Sequence, residues 1–351
     1  MTSMIVTNPQ SNQLNSRESW ADVCRVFAIF GVVVIHACGA VFYQYGKIPQ
    51  GNWLSANLID SLVRCSVPLF IMLSGAFLLK PVRQLVTVRQ IVRRISKVLV
   101  PLLMWNIGYL FYVSHYTGAP INWFSMLVHP PMYHLWFVYM IVGIYALLPV
   151  FQILFQLITN RRALQFYLLF IWLIVTCVPV YWPIPLLTLL QLNNFFGYGG
   201  YFLIGGIIAT SKRDQLPTLI WFLIYFIGVV ATFWLTAYFS ERAHLAIENA
   251  YIYFSLNVFT ASIAAFVLFT RVKITGRVAG YFQWVGDKSF LIFFMHVVIL
   301  ERVQNSAIIS TFSGHVPMFI SIFVIAMSTF SISLVIAAGI RLLPGSKLIL
   351  G

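Results

Sequence analysis

Long stretches of this chain are apolar on all sides of a helix, and short polar segments separate them. A run such as MFISIFVIAMSTFSISLVIAA at residues 318–338 lacks the two-residue alternation of a barrel strand, so helices are the structure that satisfies its backbone in lipid. A helix needs about 20 apolar residues to cross a bilayer. On this rule we predict ten transmembrane helices, near residues 20–42, 57–79, 94–113, 134–155, 163–180, 186–209, 217–239, 251–270, 287–303 and 317–342.

The composition also indicates a membrane protein. Hydrophobic residues make up 60% of the chain and charged residues only 9%, whereas soluble domains carry about 25% charged residues. So small a charged fraction cannot cover a water-exposed surface. We therefore predict an all-α polytopic membrane protein with three parts: a polar cytoplasmic N-terminal segment at residues 1–19, a ten-helix transmembrane domain at 20–342, and a short cytoplasmic tail at 343–351.

Positive charge is distributed unevenly between the two sides of these spans. The chain has 22 Lys and Arg against 8 Asp and Glu, a formal charge of +14. Because cytoplasmic loops carry the excess of Lys and Arg, an even number of spans places both termini in the cytoplasm. Segments 43–56, 114–133 and 240–250 are then external, with Lys47 and Arg242 as their cations. The cytoplasmic side carries Arg17, Arg83, Arg89, Arg161, Arg162, Lys212, Arg213, Arg271, Lys273, Arg277 and Lys347.

The two long external segments, 43–56 and 114–133, are rich in aromatic residues and proline. Such segments are typical of the membrane–water interface, where Trp and Tyr rings lie at headgroup depth. We therefore expect Trp53, Trp123 and Tyr133 to be interfacial anchors.

The first predicted helix carries three polar residues that are costly in lipid and hence functional candidates. Asp22 and Arg25 are three residues apart and can pair on one helix face. Arg25 and His36 are eleven apart, which brings them within about 20° of the same stripe and about 16 Å apart along the axis. Arg25 then lies near the cytoplasmic face and His36 lies past the midplane. Taken singly, a helix-entry anchor and an interhelical hydrogen bond explain these residues as well.

Basic residues cluster at the start of the third predicted helix, in RQIVRRISKVLVP. Arg89, Arg93, Arg94 and Lys97 fall within nine residues of one another. Two interpretations stay open: the cluster sets the topology of the helix, or it binds an anionic ligand.

Polar residues in other spans are further candidates. His134 starts the fourth span at its external end, and His296 lies in the middle to outer part of the ninth. Asp60 and Arg64 are four residues apart and can form an ion pair, a mostly structural role. Ser74 belongs to a Ser–Gly pair that permits close helix approach. The four cysteines form no CxxC pair, and no metal site is predicted.

Several short strings point to one family. Arg25 and His36, with Asp22 before them, fit an Arg-x10-His signature, and VPLFIMLSG, RRISKVLVP, HLWF, YFLIG and GDKSFLIFFMH follow in order. In these strings, between about residues 20 and 303, the chain resembles the acyltransferase-3 family of bacterial membrane acyltransferases. It looks most like the surface-polysaccharide O-acyltransferases of the enterobacterial-common-antigen type. The string SGAF departs from the usual SGYL, a difference that affects packing more than chemistry.

The resemblance implies an acyl-CoA-dependent O-acyltransferase in the bacterial plasma (inner) membrane. It would move an acyl group, usually acetyl, from cytoplasmic acetyl-coenzyme A to a hydroxyl of a lipid-linked or surface glycan outside. Membrane lipid surrounds it, no nucleic-acid partner is expected, and a homo-oligomer is left open. A hydroxyl acceptor needs a general base, a role we assign to His36. Asp22 and His134 are the other catalytic candidates.

The donor is polyanionic, so its phosphates need Arg and Lys at the cytoplasmic mouth. The candidates are Arg25, Arg93, Arg94 and Lys97, with Arg271 and Arg277 as further ones. Direct transfer and an acyl-histidine intermediate both stay open. A secondary transporter or glycan exporter would also suit buried Arg and His residues, but no inverted internal repeat supports one. A non-catalytic acyl-coenzyme A sensor is the third alternative.

Overall fold

The computed structural model describes residues 18–79, 85–124, 129–182, 184, 192–211 and 216–346. Of these residues, 79% lie in helices and none in a strand, so the predicted all-α membrane class is confirmed. Most of the predicted segments 1–19 and 343–351 lies outside the described residues, and the three-part division stays a prediction. Outside them too are the predicted cytoplasmic cations Arg17, Arg83, Lys212, Arg213 and Lys347.

The helices follow the predicted spans closely in most places. They are α1 (Ser19–Phe42), α2 (Gln50–Val63), α3 (Ser66–Leu78), α4 (Val88–Thr117), α5 (Trp136–Ala146), α6 (Leu148–Ile158), α7 (Arg162–Thr176), α8 (Val178–Tyr181), α9 (Leu192–Thr210), α10 (Thr218–Ala243), α11 (Leu256–Thr270), α12 (Gly276–Gly286), α13 (Ser289–Gln304), α14 (Ala307–Ser313) and α15 (Met318–Ile340).

By length and composition, the described residues contain 7 helices able to cross a membrane, or 9 if each of two bent pairs is one span. The helices α2 and α3 together form one of these spans. In addition, α9 overlaps the sixth predicted span at 186–209, whose beginning lies outside the described residues. The number ten and the cytoplasmic termini stay predictions.

One predicted span is bent in the structure, and another is preceded by a bend. The fourth, expected to be continuous over 134–155, breaks between α5 and α6 at an angle of 65°. Pro149 follows this break and lacks the N–H that would continue the α5 hydrogen bonds. The ninth span is preceded by α12, which meets α13 at 60°. No hydrophobic pattern distinguishes such a break from a straight helix of the same length.

The segment 43–56 differs from its prediction as an interfacial loop. Helix α2 begins at Gln50, and the Trp53 side chain is only 2% exposed. Its indole Nε1 donates to the Phe42 carbonyl oxygen at 2.8 Å, and its ring stacks on that of Phe42. Trp53 is therefore packed inside the protein and does not face lipid, while its depth at the membrane interface stays a prediction.

Helix α1 lies at the centre of the bundle and contacts α2, α3, α11, α12, α13 and α15. Beside it, α3 and α9 pack at very short range. A Cβ atom on Gly75 would lie 1.8 Å from the Phe202 carbonyl oxygen. A Cβ atom on Gly205 would lie 2.1 Å from the Met72 carbonyl oxygen. The close helix approach predicted next to Ser74 is thus confirmed, and it depends on glycine from both helices.

Candidate active site

Three histidines from separate parts of the chain meet inside the bundle. His36 lies on α1, His134 in the short helical turn Tyr133–Leu135 before α5, and His296 on α13. The ring centroid of His296 lies 5.2 Å from that of His36 and 5.1 Å from that of His134. His296 and His134 are 0% and 2% exposed, whereas His36 is partly exposed. His36, at the outer end of the stripe predicted on the first helix, is thus the least buried of the three histidines.

Aromatic side chains on α4 and α13 hold this cluster in place. The Tyr109 hydroxyl donates to the Phe294 carbonyl oxygen at 2.6 Å, and its ring lies 5.4 Å from His134. The rings of Trp105 and Phe294 stack with an interplanar angle of 1°. These contacts join α4 to α13 at the level of the histidines, so the positions of His134 and His296 are set by packing.

The cluster holds a polar atom that the protein itself does not pair. His296 Nδ1 lies 2.7 Å from the Phe293 carbonyl oxygen. His296 Nε2 is buried and has no hydrogen-bond partner among the described residues. An unpaired buried polar atom costs about 1–3 kcal/mol, so the cluster is suited to a polar group that enters from outside the protein.

A cavity of about 460 Å³ leads from basic residues toward this cluster. Arg25, Lys97 and Arg341 line it, and Phe293 forms part of its apolar wall. The Phe293 ring centroid lies 5.5 Å from that of His134 and 5.8 Å from that of His296. The cavity therefore extends from basic residues to Phe293, and the Phe293 ring lies between it and the histidines.

The ion pairs predicted from sequence spacing are present. Arg25 Nη1 lies 2.8 Å from Asp22 Oδ1, and Asp22 is 3% exposed. Asp22 lies about 21 Å from His36 along α1, so the structure brings it to Arg25 and not to the histidines. Arg64 Nε lies 3.0 Å from Asp60 Oδ1, and the Arg64 guanidinium lies 4.1 Å from the centre of the Tyr251 ring. The pair on α2 thus has the structural surroundings expected of it.

The predicted donor-binding cations are not all brought together. Arg93 and Arg94 are exposed on α4, a turn before Lys97, and do not line the cavity. Arg271 lines a second cavity and donates to the Leu216 carbonyl oxygen and the Thr218 hydroxyl at 2.9 Å each. Arg277 is exposed on α12. Of the predicted cations, Arg25 and Lys97 are therefore those that share the cavity below the histidines.

Two further polar residues, Ser74 and Arg341, line the cavity. Ser74 was singled out as a packing residue. It lines the cavity while its hydroxyl donates to the Phe70 carbonyl oxygen at 3.0 Å. Arg341 is not among the predicted site residues, because it lies at the end of the tenth predicted span and belongs to no motif. Its Nη2 donates to the Asp287 carbonyl oxygen at 2.7 Å. Its place as a cation at the C-terminal end of an apolar helix was the one available signal.

Comparison with protein-family models matches residues 18–338 to the acyltransferase 3 family, described as an acyltransferase domain. The chain belongs to the acyltransferase 3 family. The match covers the three histidines and every cavity residue except Arg341, and it ends at residue 338, two residues before the end of α15. No curated protein and no solved structure matched the acyltransferase in these comparisons. The family resemblance is confirmed, and the protein is a multi-pass membrane acyltransferase. The enterobacterial-common-antigen type stays a prediction.

Proposed function

We propose that this membrane acyltransferase moves an acetyl group from cytoplasmic acetyl-coenzyme A to a hydroxyl of a lipid-linked or surface glycan, with His36 as general base. The observation that carries the proposal is one cavity lined by Arg25, Lys97 and Arg341 at one end and by Phe293 at the other, with the Phe293 ring next to two of the histidines. Such an arrangement would let coenzyme A bind on one side of a plasma membrane and pass its acyl group toward a glycan on the other.

On the donor side, the phosphates of coenzyme A would bind at the cationic entrance. A guanidinium presents a planar fork of donors that suits phosphate, while an ammonium acts as a point charge. Asp22 Oδ1 lies 2.8 Å from Nη1 of the Arg25 guanidinium. The Arg341 guanidinium is held in the same way, because its Nη2 donates to the Asp287 carbonyl oxygen at 2.7 Å. Both forks are thus oriented before the ligand arrives, which reduces the entropy lost on binding.

On the acceptor side, the chemistry is an ester exchange. His36 takes the proton of the acceptor hydroxyl while its oxygen bonds to the thioester carbonyl carbon. The C–S bond then breaks, and the departing sulfur receives the same proton from His36. His36 suits this role because it is the partly exposed member of the cluster. Direct transfer needs no further group, and an acyl-histidine intermediate would use the same residue.

The test is release of free thiol from acetyl-coenzyme A by membranes that contain the protein. His36→Ala should lower the rate by about 10²–10⁴-fold, the usual value of a general base, and should leave coenzyme A binding intact. His315→Ala is the matched control, because His315 is an exposed histidine on the loop after α14. A transporter or a non-catalytic sensor would release no thiol, and normal turnover by His36→Ala would exclude His36 as the base.

A further inference from the structure

The hydrogen bond of His296 determines what its other ring nitrogen can do. A neutral imidazole has one N–H donor and one lone-pair acceptor. His296 Nδ1 lies 2.7 Å from the Phe293 carbonyl oxygen, which can only accept, so Nδ1 carries the proton. In the neutral ring, Nε2 is therefore an acceptor without a hydrogen. That atom is buried and has no partner among the described residues.

The surroundings of Nε2 contain two imidazoles that could donate to it. The His36 and His296 ring centroids are 5.2 Å apart, with ring planes inclined by 29°. A nitrogen lies about 1 Å from its ring centre and an N–H···N bond is about 3 Å long, so edge-to-edge imidazoles are separated by about 5 Å. His134 is at a similar distance, 5.1 Å, but its ring is inclined by 76°. The His36 ring is thus near enough, and its plane is the less inclined of the two to that of His296.

We propose that His296 is a positioning residue for acyl transfer, whose Nε2 accepts the ring N–H of His36. A rotation of His36 about χ2, which is a soft torsion in histidine, would close this bond when substrate binds. The bond directs the His36 lone pair toward the acceptor hydroxyl and stabilises the imidazolium that forms there. The arrangement corresponds to the orienting partner of a catalytic triad, with a tautomer-locked histidine in the place of the carboxylate.

This inference rests on the proposed role of His36 and adds one step to it. The hydroxyl proton moves to the free nitrogen of His36 while the C–O bond forms. The other nitrogen keeps its own proton and donates it to His296 Nε2 as a hydrogen bond throughout. When the C–S bond breaks, the first proton passes to the sulfur, and both histidines return to their starting state.

The experiment measures kcat and KM for acetyl-coenzyme A with the full chain in membranes. His296→Leu removes the acceptor atom at similar size, and His296→Gln keeps an oxygen that can accept the bond. We expect Leu to lower kcat by about 10–100-fold with KM unchanged, the loss typical when the outer partner of a functional histidine is removed. Gln should recover part of that loss but not all of it. His315→Leu is the control, because His315 Nδ1 makes the same kind of backbone contact, 2.8 Å from the Thr311 carbonyl oxygen, but lies outside the cluster.

A double-mutant cycle separates this inference from the proposed function. If His296 acts through His36, adding His296→Leu to His36→Ala should cause no further loss. Additive losses, a raised KM, or coupling of His296 with His134 in place of His36 would overturn the inference. A wild-type kcat in His296→Leu beside an inactive His36→Ala would overturn it while leaving the proposed function intact. If the Leu variant does not accumulate, Gln decides alone, since full activity or a raised KM in Gln overturns the inference and a reduced kcat at constant KM supports it.

Discussion

Replacing Arg25 by Lys should weaken coenzyme A binding although the charge is kept. In the structure, the guanidinium has one nitrogen 2.8 Å from Asp22 Oδ1 and lines the cavity together with Lys97 and Arg341. Its side chain is 26% exposed, so it is neither fully solvated nor sealed from the ligand. A lysine ammonium at this place cannot hold Asp22 and present a planar fork to phosphate at the same time.

The size of the effect follows from the bonds that are lost. A hydrogen bond to a charged group contributes about 1.5–3 kcal/mol, and each 1.4 kcal/mol is about a tenfold change in affinity. Loss of one forked contact should therefore raise the Kd for coenzyme A by about 10–100-fold. Because the entrance is partly exposed, the wild-type affinity should also fall as ionic strength rises.

The assay is coenzyme A binding to purified wild-type and variant protein at two salt concentrations. Arg161→Lys serves as the matched control, because Arg161 is exposed at the start of α7 and does not line the cavity. It should bind like the wild type. If Arg25→Lys and Arg161→Lys bind equally well, the fork at Arg25 does not contact the donor and the cationic entrance has another role.

Three further predictions test the entrance, the packing and the topology. Arg341→Met should weaken coenzyme A binding by about tenfold or more, since it removes a charged donor, and wild-type affinity would exclude Arg341 from the donor site. Gly205→Ala should destabilise the protein by about 1–3 kcal/mol and lower its Tm in detergent, because the new Cβ would lie 2.1 Å from the backbone of the neighbouring helix. The control Gly108→Ala should leave the Tm unchanged, because a Cβ there has nothing within 4 Å. Equal Tm values for the two variants would contradict the close packing. A cysteine at Thr275 should react with a membrane-impermeant thiol reagent only from the cytoplasm and one at Leu245 only from outside, and external labelling of the former would refute the topology.

Local spacing along one helix was predictable from the sequence. The pairs Asp22–Arg25 and Asp60–Arg64 follow from the 3.6-residue period, because residues three and four apart always share a helix face. Long apolar runs likewise predicted the all-α membrane class, since lipid admits few other backbone structures. These properties depend on a single helix and its solvent, and they need no knowledge of neighbouring helices.

Contacts between helices were decided by the tertiary structure. Hydropathy treats lipid and protein interior alike, because both are apolar, so it could not show that Trp53 is packed on Phe42 or that the fourth span bends. The same limit explains why Arg93 and Lys97 were equivalent candidates in the sequence: one turn separates them, yet only Lys97 lines the cavity.

The three histidines show most clearly what the sequence could predict and what the tertiary structure decided. Each could be identified as a costly polar residue in an apolar segment, and the resemblance to a family assigned a role to His36. Their meeting requires α1, α13 and the turn before α5 to pack in one arrangement, held by contacts such as that of Tyr109 with Phe294. Which helix faces which neighbour is set by the fit of side chains across the interface, a non-local property that no pattern within a single helix contains.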